Sequence, residues 1–415
     1  MDRVSTQTQP AFWSTLLVLS VLLLLPLGRS AEAALAVAAL GGLVLAWRER
    51  VRLAQQPGLR LVALLFACYW LPALLSAPAA VAPAKSWQTV AVLLRFLPFA
   101  AFACLALRDA AAWPRMRDAA AMIVVLWLLD AWVQILTGYS LAGAASSERL
   151  SGIFGAGNLK LGPVLAVLAP FVFAAAQARY GARGLLGAFV LQLPPVLLAG
   201  SRAGWLMYLL VSLAFLWRAT RSPLRFAGWS AATAGVVALV ALVALHDSSA
   251  FSARITRSLL VLDGSTHALD EASAGRLRIW GTAAHMIAAH PFAGVGVRGF
   301  RYAYPDYAQP GDAFVDTASD EGAAHAHQIV LEVLSETGAI GLALWLCGAT
   351  LALRAWWRAA PAARERALAP ALALAAMCFP LDTHLAFYSA WWGLLFWWLL
   401  ALYCAALHAS ERLDG

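Results

Sequence analysis

Runs of roughly 17 to 25 apolar residues recur along nearly the whole chain, separated by short arginine-bearing links, and that length lets a helix cross a membrane. Only one long stretch, 246–326, departs from the pattern. In hydrocarbon every backbone N–H and C=O must be paired within the segment, which a helix achieves by itself. A β-barrel would alternate apolar and polar residues, whereas these runs are unbroken. With 62% hydrophobic and 13% charged residues among 415, and a mean hydropathy of +0.73, there is too little polar surface for a soluble globule. The expected fold is an all-α integral membrane protein of about 12 transmembrane helices, with one large periplasmic loop containing amphipathic helices.

The spans read as 12–27, 33–47, 60–78, 87–107, 119–138, 161–178, 184–199, 204–217, 226–245, 327–353, 368–385 and 388–408. The first run follows Arg3 and resembles a signal peptide, but a second run begins almost at once, so an uncleaved helical hairpin is expected. Four blocks divide the chain: helices and an outer loop in 1–160, further spans in 161–245, the large loop 246–326, and final spans with a short tail in 327–415. Orientation follows from Arg and Lys near span ends. Arg48 and Arg60, Arg108 and Arg115, Arg179 and Arg183, Arg218 and Arg225, and Arg354 and Arg366 all fall on one side, taken as the cytoplasm. Arg29 and Lys85 run against the rule. Both termini are expected in the cytoplasm, and the links 138–161, 200–203, 246–326 and 382–389 outside. The net charge of +8 therefore reflects spans in a bilayer and not nucleic-acid binding. All five cysteines lie in apolar segments without paired ligand spacing, so neither a disulfide framework nor a zinc site is expected.

Several basic residues stand out. Arg95 and Asp130 lie inside apolar runs at a shared depth of ~12 Å, which allows them to pair or leaves Arg95 to meet an anionic substrate. The glycine-rich link 138–161 carries Arg149, Asn158 and Lys160 and reads first as a flexible turn. Arg202 sits in a very short outer link, where on composition alone it reads first as an arginine snorkelling at a helix end, although its planar guanidinium also suits a phosphate oxygen. Within the large loop, 251–262 and 276–289 show helical apolar spacing, with Ile279, Trp280, Ala283 and Ile287 as one stripe. Arg276 and Arg278 fall on the first turn of the second helix. A glycine turn at 290–300 carries Arg298, an acidic and aromatic stretch covers 302–321, and His325 and His327 precede the next span. A metal held by His325, His327 and Asp320 is disfavoured, because His-x-His at a helix start points its rings to different faces. No phosphate-binding loop or nucleophile elbow occurs, and no cofactor is expected.

Four fragments in order, Ser201-Arg202-Ala203-Gly204, Gly275-Arg276-Leu277-Arg278-Ile279-Trp280, His290-Pro291-Phe292-Ala293-Gly294-Val295-Gly296 and His327 through Gly338 to Gly341, resemble the shared domain of O-antigen ligases, O-antigen polymerases and related O-oligosaccharyltransferases. The resemblance covers roughly the second half of the chain; the 149–155 segment with Asn158 is similar to the family's preceding outer loop. It implies transfer of a glycan from undecaprenyl pyrophosphate to a hydroxyl acceptor on the periplasmic face of an inner membrane, without metal or nucleotide. Arg202 and Arg276 match the family's functional arginines, and His327 its catalytic or acceptor-positioning histidine. Arg278 and Arg298 are secondary candidates for substrate charge, while Glu336 and Gly338 are expected to support packing. Gln328 departs from the Asn or Ser of many relatives, which puts its contact in doubt.

The leading expectation is ligation to lipid A-core, since only a short tail follows the last span and one outer loop dominates. An O-antigen polymerase or a protein O-oligosaccharyltransferase would use the same donor. A lipid-linked oligosaccharide transporter would place its binding groups at the bilayer midplane and often show internal repeats, whereas here charge concentrates at the outer rim.

Overall fold

A computed structural model describes residues 9–53, 55–144, 149–381 and 386–410; Arg3, residues 145–148 and residues 382–385 lie outside the described residues. The helices in chain order are α1 (Gln9–Leu23), α2 (Ser30–Leu53), α3 (Pro57–Ser76), α4 (Pro83–Leu93), α5 (Phe96–Ala106), α6 (Trp113–Thr137), α7 (Leu161–Leu198), α8 (Arg202–Thr220), α9 (Pro223–Asp247), α10 (Ser249–Leu259), α11 (Thr266–Ser273), α12 (Arg276–Ala289), α13 (Phe300–Tyr307), α14 (Ile329–Arg358), α15 (Pro361–Met377) and α16 (Ala390–His408). A minimal antiparallel hairpin pairs β1 (Tyr139–Ser140) with β2 (Gly143–Ala144), Tyr139 opposite Ala144.

Among the described residues nine stretches are long and apolar enough to cross a membrane. The other expected spans take different forms. Those at 161–178 and 184–199 are the two halves of α7, interrupted at Gly181, whose φ of 61° and ψ of −144° leave the helical region. The halves return to one end, because a Cβ on Gly162 would sit 3.0 Å from the Ala199 Cβ. The 12–27 run is helical only to Leu23, and the 368–385 run is shifted to Pro361–Met377. The 87–107 span starts at Pro83 and is broken between α4 and α5, where Arg95 falls.

The chain divides into two compact units. The first comprises residues 1–113, 274–368 and 385–415. Its centre is α16, whose Trp397 and Trp398 are fully buried and which packs on α3 and α5. Trp398 Nε1 donates to the Val18 carbonyl at 2.9 Å, and the Tyr69 hydroxyl to the Phe387 carbonyl at 3.1 Å. The Tyr69 ring lies 5.0 Å from Phe387, 5.8 Å from Phe396 and 5.4 Å from Trp397. Close packing of such rings, rather than escape from water, is what holds helices together inside hydrocarbon. Helices α2 and α5 approach closely because Gly42 presents no side chain to the Pro98 carbonyl. That approach carries Glu32, in the first turn of α2, to Arg95, which it pairs at 2.9 Å. The partner of Arg95 is therefore Glu32, not Asp130. The former loop segment adds a small satellite core in which Ile279, Ala283 and Met286 of α12 meet Val295, Phe300 and Tyr304. Met286, and not Ile287, completes the buried stripe.

The second unit comprises residues 114–273 and 369–384. Here Asp130 Oδ1 accepts from the Leu141 N–H at 2.7 Å, and buried Gln134 accepts from the N–H groups of Ser151 and Gly152 at 3.2 and 2.7 Å. Inward-facing polar groups of α6 thus satisfy loop donors, and the described part of the 138–161 link is an anchored loop, not a free turn. Ser201 caps α8 by accepting from the Gly204 N–H at 3.1 Å, and Ser248 caps α10 through Phe251 at 3.2 Å. Gly204 lets α8 lie against the Gly162 backbone at the start of α7.

Candidate active site

In the first unit the segment 290–298 and the segment 335–341 are locked together by main-chain hydrogen bonds. Val295 donates to the Ser335 carbonyl at 2.8 Å and Gly296 to the Glu336 carbonyl at 3.0 Å, while Ala339 and Ile340 donate to the carbonyls of Pro291 and Phe292 at 2.8 and 3.2 Å. The carbonyls of 335 and 336 are available because α14 breaks at Gly338, with φ of 65° and ψ of −166°. A Cβ there would overlap the Phe292 carbonyl, and one at Gly294 would overlap the Glu336 backbone. Both glycine motifs therefore serve one contact. On its other side the segment is held by Ser76, which accepts from the Val297 N–H at 3.0 Å, and by Ser86, which donates to the Val297 carbonyl at 2.8 Å.

This clamp presents Arg298, in a left-handed backbone conformation with φ of 59°. Its N–H donates to Glu336 Oε2 at 2.8 Å, and its charge bears on the carboxyls of both Glu332 and Glu336. Both glutamates are fully buried, and Glu332 Oε1 accepts from the Phe387 N–H at 2.8 Å. Among the described residues Arg298 Nη1, Glu332 Oε2 and Glu336 Oε1 are buried without a hydrogen-bond partner.

The two histidines enter from above α14. Trp280 Nε1 donates to the Ala326 carbonyl at 3.1 Å, tying the residue between them to α12. Arg276 lies four residues before Trp280, on the same helix face. The rings of His325 and His327 are 3.9 Å apart, so they share a side and do not diverge. The helical angle does not govern them, because α14 begins only at Ile329 and His327 has a φ of 54°. The His327 N–H donates to His325 Nδ1 at 3.2 Å. That nitrogen is also 3.4 Å from Glu332 Oε2, a distance compatible with an ion pair. The ring is nevertheless neutral: Nδ1 already accepts a hydrogen bond, and burial, then Arg298 and Arg276, push its pKa down to about 3. Gln328 caps α14, its Oε1 accepting from the Leu331 N–H at 2.6 Å. Its departure from Asn or Ser thus preserves a capping contact those shorter residues make readily.

In the second unit Arg202 is the first residue of α8, and its Nη1 donates to the Ala272 carbonyl and, at 3.4 Å, to Ser258 Oγ. Arg149 and Arg257 place like charge beside it. The Arg254 guanidinium lies against Gly200, where a side chain would displace it, and Trp205 Nε1 closes on the Val196 carbonyl at 3.1 Å. Lys160, at the start of α7, has its pKa lowered by burial. An arginine-rich cluster of this kind suits a multiply charged oxyanion.

The structure therefore gathers Arg276, Arg298 and His327 within one unit, and Arg149 and Arg202 within the other. It does not place Arg278 with them: Arg278 is exposed, and its charge bears on Tyr304 in the satellite core. Arg95 is engaged by Glu32. Sequence reasoning missed His325 as the companion of His327, the buried Glu332, and Arg254 with Arg257. The last pair carried a usable signal, basic residues three apart on an amphipathic helix.

Fold and site together define a polytopic, helix-built membrane-type protein with arginines and a close imidazole pair at the head of a span. Residues 187–346, which take in α8 to α13, Arg202, Arg276, Arg298 and His327, match the family described as O-antigen ligase. The match covers 160 of the 415 residues and says what that segment is similar to. No curated protein matches the chain.

Proposed function

We propose that this protein is an O-antigen ligase that transfers a glycan from undecaprenyl pyrophosphate to a hydroxyl of the lipid A-core oligosaccharide at the periplasmic face of the inner membrane. The observation that carries the reading is a close imidazole pair, one member of which, His325, is held neutral beside two arginines, one of them Arg298 with a buried, unpartnered nitrogen. A site with fixed positive charge and an uncharged base suits a substrate that leaves as an anion. The acceptor hydroxyl oxygen bonds to the anomeric carbon, and the bond from that carbon to the pyrophosphate oxygen breaks. The hydroxyl proton passes to His327, which a neutral imidazole can take near neutral pH. The charge released onto pyrophosphate is offset by Arg276 and Arg298, groups fixed before the reaction begins. The cluster around Arg202, with Arg149 and Lys160, is proposed to bind the same class of anion. No metal or other cofactor has a part in this scheme.

The test is transfer by the purified full chain in detergent, with a polyprenyl-pyrophosphate glycan, lipid A-core and excess chelator. Ligated product supports the reading. Elongated polyprenyl-linked glycan without lipid A-core product would instead assign a polymerase, and absence of any transfer would favour a transporter.

A further inference from the structure

Within the second unit, the latter half of α7 together with α8 and α9 encloses a cavity of about 580 Å³. Phe189, Leu193 and Leu213 represent its apolar wall, and its two ends differ in charge. Arg183, Thr220 and Arg225 line one end, at the start of the second half of α7, the last residue of α8 and the first turn of α9. Trp205, in the first turn of α8, lines the other. At 1.5 Å of rise per residue, Trp205 and Thr220 are separated along α8 by roughly 22 Å, the scale of an extended acyl chain. Arg183 and Arg225 are both exposed. Helix α9 is the least enclosed of the spans, with 6% of its apolar window buried, so the cavity is walled on that side by a helix that meets little other protein.

We propose that this groove is a binding site for an anionic phospholipid, its phosphate held between Arg183 and Arg225 and an acyl chain lying along α8 toward Trp205. The shape and the charge make separate demands, and an anionic phospholipid meets both. The apolar wall needs hydrocarbon, and its volume falls in the range of small-molecule sites. The arginine end needs a phosphate, and basic pockets between spanning helices are recurrent sites for anionic headgroups. A polyprenyl chain with its phosphates at the Trp205 end would leave its apolar terminus against two guanidinium groups. A zwitterionic lipid would bring a third cation to the same end. This assignment is independent of the glycan-transfer proposal, since Arg202 and the histidines take no part in it.

The experiment reconstitutes the full chain in vesicles of equal phosphatidylglycerol and phosphatidylcholine, extracts it in mild detergent, and quantifies retained lipid by mass spectrometry. Phosphatidylglycerol is expected to be retained at least about tenfold over phosphatidylcholine. Arg183→Gln with Arg225→Gln should bring that ratio close to one while elution and melting stay unchanged, because both side chains are exposed. Arg179→Gln with Arg218→Gln removes the same charge from the same end but outside the groove, and should preserve the ratio. Leu213→Trp, which narrows the apolar wall, should reduce retention of phosphatidylglycerol without altering charge. Equal retention of the two lipids by the native protein would overturn the proposal, as would equal losses in the two arginine pairs. Occupancy by undecaprenyl phosphate that displaces phosphatidylglycerol and ignores Arg183 and Arg225 would also overturn it.

Discussion

The imidazole rings of His325 and His327 stand 3.9 Å apart, and the backbone N–H of His327 donates to Nδ1 of His325. One histidine therefore fixes the other. His325 accepts at Nδ1 and keeps any ring proton on Nε2, while His327 is held by main chain and ring in a left-handed conformation that histidine adopts more readily than most residues.

A pH signature follows from the buried member of the pair. The pKa of His325 falls from the ordinary 6.5 to about 3, first through burial and then through Arg298 and Arg276. Between those values the unfolded chain binds more protons at this site than the folded protein does. The associated stability is thus present above pH 6.5 and is lost as pH falls toward 3. Melting of the native protein should decline with acid at a slope of up to about 1.4 kcal/mol per pH unit from this group, and His325→Gln should flatten that slope. An unchanged acid profile in His325→Gln would mean that the ring is charged in the folded state.

The interlock of 290–298 with 335–341 predicts unequal costs for two glycines in spanning helices. Gly338→Ala meets both a φ of 65° and the Phe292 carbonyl, and should cost more than about 3 kcal/mol or prevent recovery of folded protein. Gly235→Ala on α9 meets open space at helical φ, and should be neutral or stabilise by up to about 1 kcal/mol. Thermal unfolding of the two variants separates these outcomes.

Helical, membrane-type character was legible because a span's length and apolarity are local properties, and α12 was placed correctly at 276–289 from its spacing alone. Partnerships across the chain were not legible. Equal depth suggested Arg95 with Asp130, yet the close approach of α2 to α5 at Gly42 supplies Glu32 instead, and Asp130 turns to Leu141. The histidine pair was misread for a related reason: a helical angle was applied to residues that precede the helix. Glu332 was invisible as a polar anchor because its partner, the Phe387 N–H, lies 55 residues away. Position 328 shows the converse, a sequence departure whose capping role emerges only with the backbone in view.

The Arg95–Glu32 pair gives a further prediction. It is only part-buried, with side-chain exposures of 19% and 32%, so its removal is a matter of an uncompensated charge in a span more than of lost attraction. Glu32→Leu alone should destabilise by roughly 1 to 3 kcal/mol, and Arg95→Met added to it should restore most of that loss. The double variant should still transfer glycan. Loss of transfer in a stable double variant would return Arg95 to the substrate.

The central claim is that the imidazole of His327 takes the acceptor proton. His327→Asn keeps a residue that tolerates the left-handed backbone and removes the base, so it separates chemistry from folding. The decisive measurement is the rate of glycan transfer from undecaprenyl pyrophosphate to lipid A-core by purified His327→Asn protein, beside its melting temperature. The account predicts a rate at least about 100-fold below that of the native protein at near-native melting. Transfer at the native rate by a well-folded His327→Asn protein would contradict it.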